Sequence, residues 1–157
     1  MLMKISFTAF GEPFGKQRPR HSRLSNTTYT PTETKQHERD IVIAYRAQCG
    51  GFRFPAGSYI SLQVAAFMKI PRGASKAKRR LMLDSIMRPT KKPDWDNIGK
   101  LVADALNGVA YDDDKCIVDA CVQKFYADMP RTVVTLSLCE EPTKNRQKPE
   151  LPPICRY

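Results

Sequence analysis

The sequence contains no run of about 18 apolar residues, the length that a membrane-crossing helix needs. Its opening, "MLMKISFTAFGEP", carries one early lysine and too short an apolar stretch for a secretory signal. A cytoplasmic protein without membrane attachment is expected. CxxC pairs are also missing. Cys49, Cys116, Cys121, Cys139 and Cys155 are odd in number and scattered, and His21 and His37 lie far from all of them. A zinc site needs close ligand pairs and a disulfide framework needs an even count, so the thiols are expected to be reduced and structural. Neither a glycine-rich phosphate loop nor an internal repeat occurs. Acids are scarce as well, 16 against 26 lysines and arginines, for a net charge of +10 and a pI near 9.6. That balance favours polyanionic partners, with nucleic acid first and an anionic membrane surface second.

What is present suits one domain. The 157 residues are 41% hydrophobic, enough for a single packed core. "MKISFTAF" alternates apolar and polar residues as a half-buried strand does. Residues 11–31 read as a long loop, rich in proline and glycine, with Lys16, Arg18, Arg20 and Arg23 close together. A helix is expected from about Glu33 to Cys49, capped by Thr30 or Thr32 and stopped by Gly50. "SYISLQVAAFMKI" reads as a second strand and "ASKAKRRLMLDSIM" as a basic helix after Ser75. Pro89 and Pro93 bracket a turn. Trp95, Ile98, Leu101, Val102, Ala105 and Leu106 then recur at three- and four-residue steps, the clearest amphipathic helix in the chain. Two further strands, "KCIVDACVQKFYA" and "RTVVTLSLC", are joined by a turn at Asp128–Pro130. Residues 141–157 form a Pro-rich basic tail, expected to be extended or disordered.

Six of the scarce acids crowd into "KKPDWDNIGKLVADALNGVAYDDDKC": Asp94, Asp96, Asp104, Asp112, Asp113 and Asp114. Asp94 and Asp96 open the amphipathic helix, where a helix terminus favours anions, so a cap and a first-turn acid would account for them. That does not account for the triple aspartate. The helix rises roughly 20 Å, and a returning strand passing its start would gather three carboxylates in one place. Crowded carboxylates need a cation to stay ionised, and magnesium is the common answer. A calcium loop is excluded, because its twelfth position would be Ala105 where a bidentate Glu is needed. A DxD sugar-nucleotide transferase has little else to support it. Lys100 follows Asp96 by four residues on the same face. It is either a surface ion pair worth a few tenths of a kcal/mol or a cation poised beside a phosphate. Arg88, Lys91, Lys92 and Lys115 surround the acids with positive charge. Acids inside a basic rim suit metal-dependent phosphodiester cleavage, the rim holding the polyanion and the acids the metal.

The stretch from Lys91 to Asp119 also resembles the RusA family of Holliday junction resolvases. The resemblance rests on Pro93, Asp94, Asp96, Asn97, Lys100, Asp104, Ala105, Leu106 and Asn107, then Asp113, Asp114 and Ile117, with "GEPFGKQRPRHSR" matching the family's basic opening loop. It implies an α+β domain over residues 1–140, a mixed sheet flanked by helices, assembled as a homodimer. It further implies a magnesium-dependent endonuclease, with manganese as a substitute, that makes paired nicks in four-way DNA junctions, and a phage or prophage source. Asp94, Asp96 and Asp114 would be metal ligands, with Lys100 the supporting catalytic cation and Asn97 in the site. Asp113 could replace Asp114, since the extra Asp112 blurs the register, and Cys116 stands where many members have Gln. Lys16, Arg18, Arg20, Lys91 and Lys92 would contact DNA. A general branched-DNA or flap nuclease and a non-cleaving DNA-binding module are the alternatives.

Overall fold

A computed structural model describes residues 3–22 and 27–139, so Arg23 and the tail expected at 141–157 lie outside the described residues. The fold is α+β, a single domain with a mixed four-stranded sheet. Strand β1 (Lys4–Phe10) leads into the basic loop. Contrary to expectation, that loop contains a small hairpin, β2 (Arg20–Ser22) with β3 (Thr27–Tyr29). Each strand is three residues long, too short for alternation to register. Helix α1 (Thr32–Cys49), strand β4 (Ile60–Lys69), helix α2 (Lys76–Leu83), helix α3 (Trp95–Leu106), strand β5 (Ile117–Ala127) and strand β6 (Arg131–Leu138) follow.

The sheet order is β1-β6-β4-β5. β6 pairs antiparallel with both β1 and β4, whereas β5 runs parallel to β4 and forms an edge. A parallel pair needs a long crossover, and α2 with α3 supplies it. The core lies between one sheet face and helices α1 and α3. Ile60, Leu62, Val64 and Ala66 of β4, Phe7 of β1, and Val134 and Leu136 of β6 meet Ile41 and Tyr45 of α1 there, together with Ile98, Val102 and Leu106 of α3. Each large apolar side chain so buried is worth roughly 1.5–3 kcal/mol. The periodic residues of α3 are the ones buried, apart from Trp95, which is 64% exposed.

Capping differs at α1. Neither threonine caps it: Pro31 occupies the cap position, with no side-chain cap bond, and Thr32 is the first helical residue. At α2 the Ser75 hydroxyl does accept the Lys78 N–H. Two close approaches fix α3. A Cβ on Gly99 would come within 2.9 Å of Val122 on β5, so only glycine lets the helix lie that near the strand. The Tyr111 hydroxyl, fully buried, donates to the Ala103 carbonyl at 2.9 Å and holds the returning chain against the C-terminal half of the helix.

Candidate active site

The N-terminal end of α3 is built by three contacts. The Lys124 ammonium, on β5, donates to the carbonyls of Lys91 (2.7 Å) and Pro93 (2.9 Å) and fastens the turn that precedes Asp94. The Lys16 backbone N–H donates to the Asn97 carbonyl at 2.9 Å, which draws the basic loop onto the first turn. Gly15 makes that approach possible, since a Cβ there would sit 2.8 Å from Pro93 Cβ and 3.2 Å from Asn97 Cβ. Between loop and helix lies a cleft of about 830 Å³, lined by residues 13–20, Lys92, Pro93, Asp94, Asp96 and Asn97.

Asp94 stands at the N-cap position, yet its side chain makes no capping hydrogen bond. Neither it nor Asp96 has a hydrogen bond or ion pair from its carboxylate among the described residues, and both are exposed. Capping therefore does not account for this pair. Lys100 is exposed one turn further along and forms no ion pair with Asp96. Arg18 and Arg20 are exposed on the loop, as are Lys91 and Lys92 on the turn.

Lys16 points elsewhere. Its ammonium pairs with Asp104 and lies 3.5 Å from Glu38. Burial alone would lower its pKa, but the hydrogen bond and charge of Asp104, with Glu38 behind them, raise it above the usual lysine value. This lysine anchors the loop, and Asp104 is its counter-charge.

The triple aspartate does not reach the cleft within one chain. β5 runs back along α3, so Lys124, not Asp114, lies beside the helix start. Ile117, where β5 begins, is roughly 20 Å of strand away from Lys124. Asp112 pairs with Arg53. Asp113 caps a single 3-10 turn (Asp114–Cys116), accepting the Lys115 N–H at 3.0 Å. That bond, opposed only by slight desolvation and aided by the Lys115 charge, holds its carboxyl below the usual range. Asp114 is exposed and joins no ion pair among the described residues. A separate cleft of about 330 Å³ lies between this acidic turn and residues 55–59. Accordingly, no three acidic, histidine or cysteine side chains among the described residues come together as a metal site.

Residues 11–137 match the family described as Endodeoxyribonuclease RusA. The chain belongs to that family. It is also 34% identical over 136 residues to a Bacillus subtilis (strain 168) protein, YqaN, itself uncharacterized, an alignment spanning 84% of this chain and 94% of that one. The match runs through the basic loop, α3 and β5, so the RusA-family segment and the cleft coincide.

Sequence reasoning did not find Lys124 or Gly15 among the residues that shape this cleft. Nothing local marks Lys124 in an alternating strand. Gly15, between Phe14 and Lys16, reads as ordinary loop. Arg88, expected on the basic rim, instead stacks over Phe125 at 3.8 Å and donates to the Lys124 carbonyl.

Proposed function

We propose that this RusA-family protein is a divalent-metal-dependent endonuclease that resolves four-way DNA junctions by paired nicks, as a homodimer with one site at the start of each α3. The observation that carries the reading is the pair Asp94 and Asp96. These exposed carboxylates have no cap bond and, among the described residues, no ion pair, and they line a cleft opposite the Arg18 and Arg20 loop. Like charges so placed call for a cation. The donors are hard oxygens, including the Asn97 side-chain carbonyl, and fit magnesium, or manganese in its stead, completed by water. Bound there, such an ion would supply an activated water and a counter-charge for the leaving oxygen.

The remaining residues have roles of their own. The Lys100 ammonium, unpaired among the described residues, faces the negative charge that builds on the phosphate. Arg18, Arg20, Lys91 and Lys92 hold the flanking backbone, while Lys16 keeps the loop in place. A third carboxylate, Asp114, is separated from the pair by the length of α3 in any one chain. In the complete site it comes from a second copy, so the dimer is a requirement of the chemistry. Asp113, already used as a cap, is the less available neighbour. A two-fold protein also suits a junction with two scissile bonds.

The test is cleavage of four-way, flapped and linear DNA with and without magnesium. Opposed nicks in the four-way substrate, only with metal, are expected. Equal cutting of flaps would make it a general branched-DNA nuclease, and tight binding without any cut a DNA-binding module.

A further inference from the structure

A second groove, of about 560 Å³, runs along α1 and takes in Asp104 and Ala105 near the end of α3. Its cations are Lys35, Arg39 and Arg46. At about 100° per residue these three fall within an arc of roughly 40°, a straight stripe about 17 Å long. All three are exposed, and none has an ion pair among the described residues. Acids are at hand. Glu38 follows Lys35 by three residues, and Asp104 lines the same groove. Lys16 engages both. The loop lysine thus takes up the groove's negative charge and leaves its cations open. Asp40 lies about 100° round the helix from Arg39, where it accepts a hydrogen bond from Gln36 at 3.0 Å. A merely solvated helix face would be expected to pair its charges three or four residues apart, and this one does not.

The stripe starts beside the candidate active site. Gln17 donates its backbone N–H to the Thr34 hydroxyl at 3.4 Å and its side-chain amide to Glu33 at 3.0 Å. These bonds fasten the basic loop, one residue before Arg18, to the first turn of α1, one residue before Lys35. Resting on the nuclease reading above, we propose that the stripe carries one duplex arm of the substrate, gripping the phosphates of about five base pairs beyond those held by Arg18 and Arg20. Charge names the occupant. Open cations spaced roughly 6 and 10 Å apart along a helix suit a polyanion with one charge per 3.4 Å of each strand. Duplex leaves a four-way junction on every side of its exchange point, so a site that cuts there needs a bed for an arm. Contacts of this kind add affinity and orientation without reading sequence.

The test needs no cleavage. Lys35→Gln, Arg39→Gln and Arg46→Gln combined keep good helix formers at exposed positions, so circular dichroism should be unchanged. Binding of the full chain to a long-armed four-way junction, without metal, should lose about 2 to 3 units of salt slope, roughly 0.9 for each lost phosphate contact. A series of junctions then carries a patch of neutral methylphosphonate linkages at successive positions along one arm. The wild type should bind more weakly when the patch lies outward of the contacts made by Arg18 and Arg20. The triple variant should be indifferent to that outer patch and still sense patches next to the exchange point. Should the triple variant misfold, Arg46→Gln alone decides, with a slope loss of about one unit. A wild-type slope in the folded variant, or continued sensitivity to the outer patch, overturns the proposal and leaves the groove to an acidic protein or to solvent. The expected slope loss combined with a wild type that cuts no DNA in magnesium would leave the stripe standing and sink the nuclease reading.

Discussion

Both ends of α3 gather acids, two at its start and four at its far end, and the two groups are chemically opposite. At the C-terminal end every acid but one is matched: Asp104 by Lys16, Asp112 by Arg53, Asp113 by the Lys115 N–H and ammonium. At the N-terminal end Asp94 and Asp96 are matched by nothing among the described residues, although Arg18, Arg20, Lys91 and Lys92 stand exposed within the same cleft or turn. Folding would gain from pairing them, and the fold does not. Carboxylates left open in a basic setting are where function is to be sought, and acids already matched are where stability is to be sought. The exception at the far end, unmatched among the described residues, is Asp114, the residue that the proposed dimeric site would need.

The largest effect should fall at the open end. Asp94→Asn or Asp96→Asn keeps shape and removes one charge, and should cut cleavage by about 100-fold or more. Junction binding should hold or tighten, since less negative charge faces the phosphates. Asp112→Asn should change cleavage far less. If all variants cut at the wild-type rate in magnesium, the contrast between the two ends has no catalytic meaning. If Asp113→Asn abolishes cleavage and Asp114→Asn does not, the third ligand is Asp113.

Mixing sharpens the comparison further. Asp94→Asn and Asp114→Asn proteins are each expected to be inactive. Co-refolded, the proposed dimer would include heterodimers in which one site draws its intact Asp94 and Asp96 from one chain and its intact Asp114 from the other. Such mixtures should regain single-strand nicking of junctions, to at most about half the wild-type site count. Sites complete within one chain could not be rescued in this way, so a mixture as dead as its components would remove the second copy from the chemistry.

On the loop, replacing Arg18 and Arg20 with Ala should weaken junction binding and flatten its salt dependence by about one slope unit per lost phosphate contact. An unchanged slope would make these arginines bystanders.

Much of this could be read from the sequence, and what could not has a common cause. The period of α3 was plain because Ile98, Leu101, Val102, Ala105 and Leu106 face one core. The acids at its start were visible by spacing. The direction in which β5 returns was not, because alternation in "IVDACVQKFYA" reads the same in either direction. That direction decides whether Lys124 or Asp114 lies beside Asp94. Charge alone likewise placed Lys16 with Arg18 and Arg20 as a DNA contact. Only the packing of the loop onto α3, through Gly15, turns it toward Asp104. The short hairpin and the Pro31 start of α1 depend on tertiary contacts that no local pattern carries.

The smallest effect belongs to the matched end. Lys16→Met removes the partner of Asp104 and should lower stability by about 1 kcal/mol, since the pair is only partly buried, or a few degrees in Tm. The loss should depend on pH in a defined direction. The folded-state pKa of Lys16 is raised above its ordinary value of about 10.5. Its contribution is therefore complete below that value and fades as pH climbs through the higher folded-state pKa. Tyr45, pushed up to about 12 chiefly by burial with Cys49 adding to it, destabilises both proteins in the same alkaline range and cancels in their difference. Melting curves of wild type and Lys16→Met from neutral pH upward should thus show a gap that is constant up to about pH 10 and narrows above it. A gap that stays constant through pH 12 would mean that Lys16 acts by packing its aliphatic stem, and that Asp104 is no more matched than Asp94.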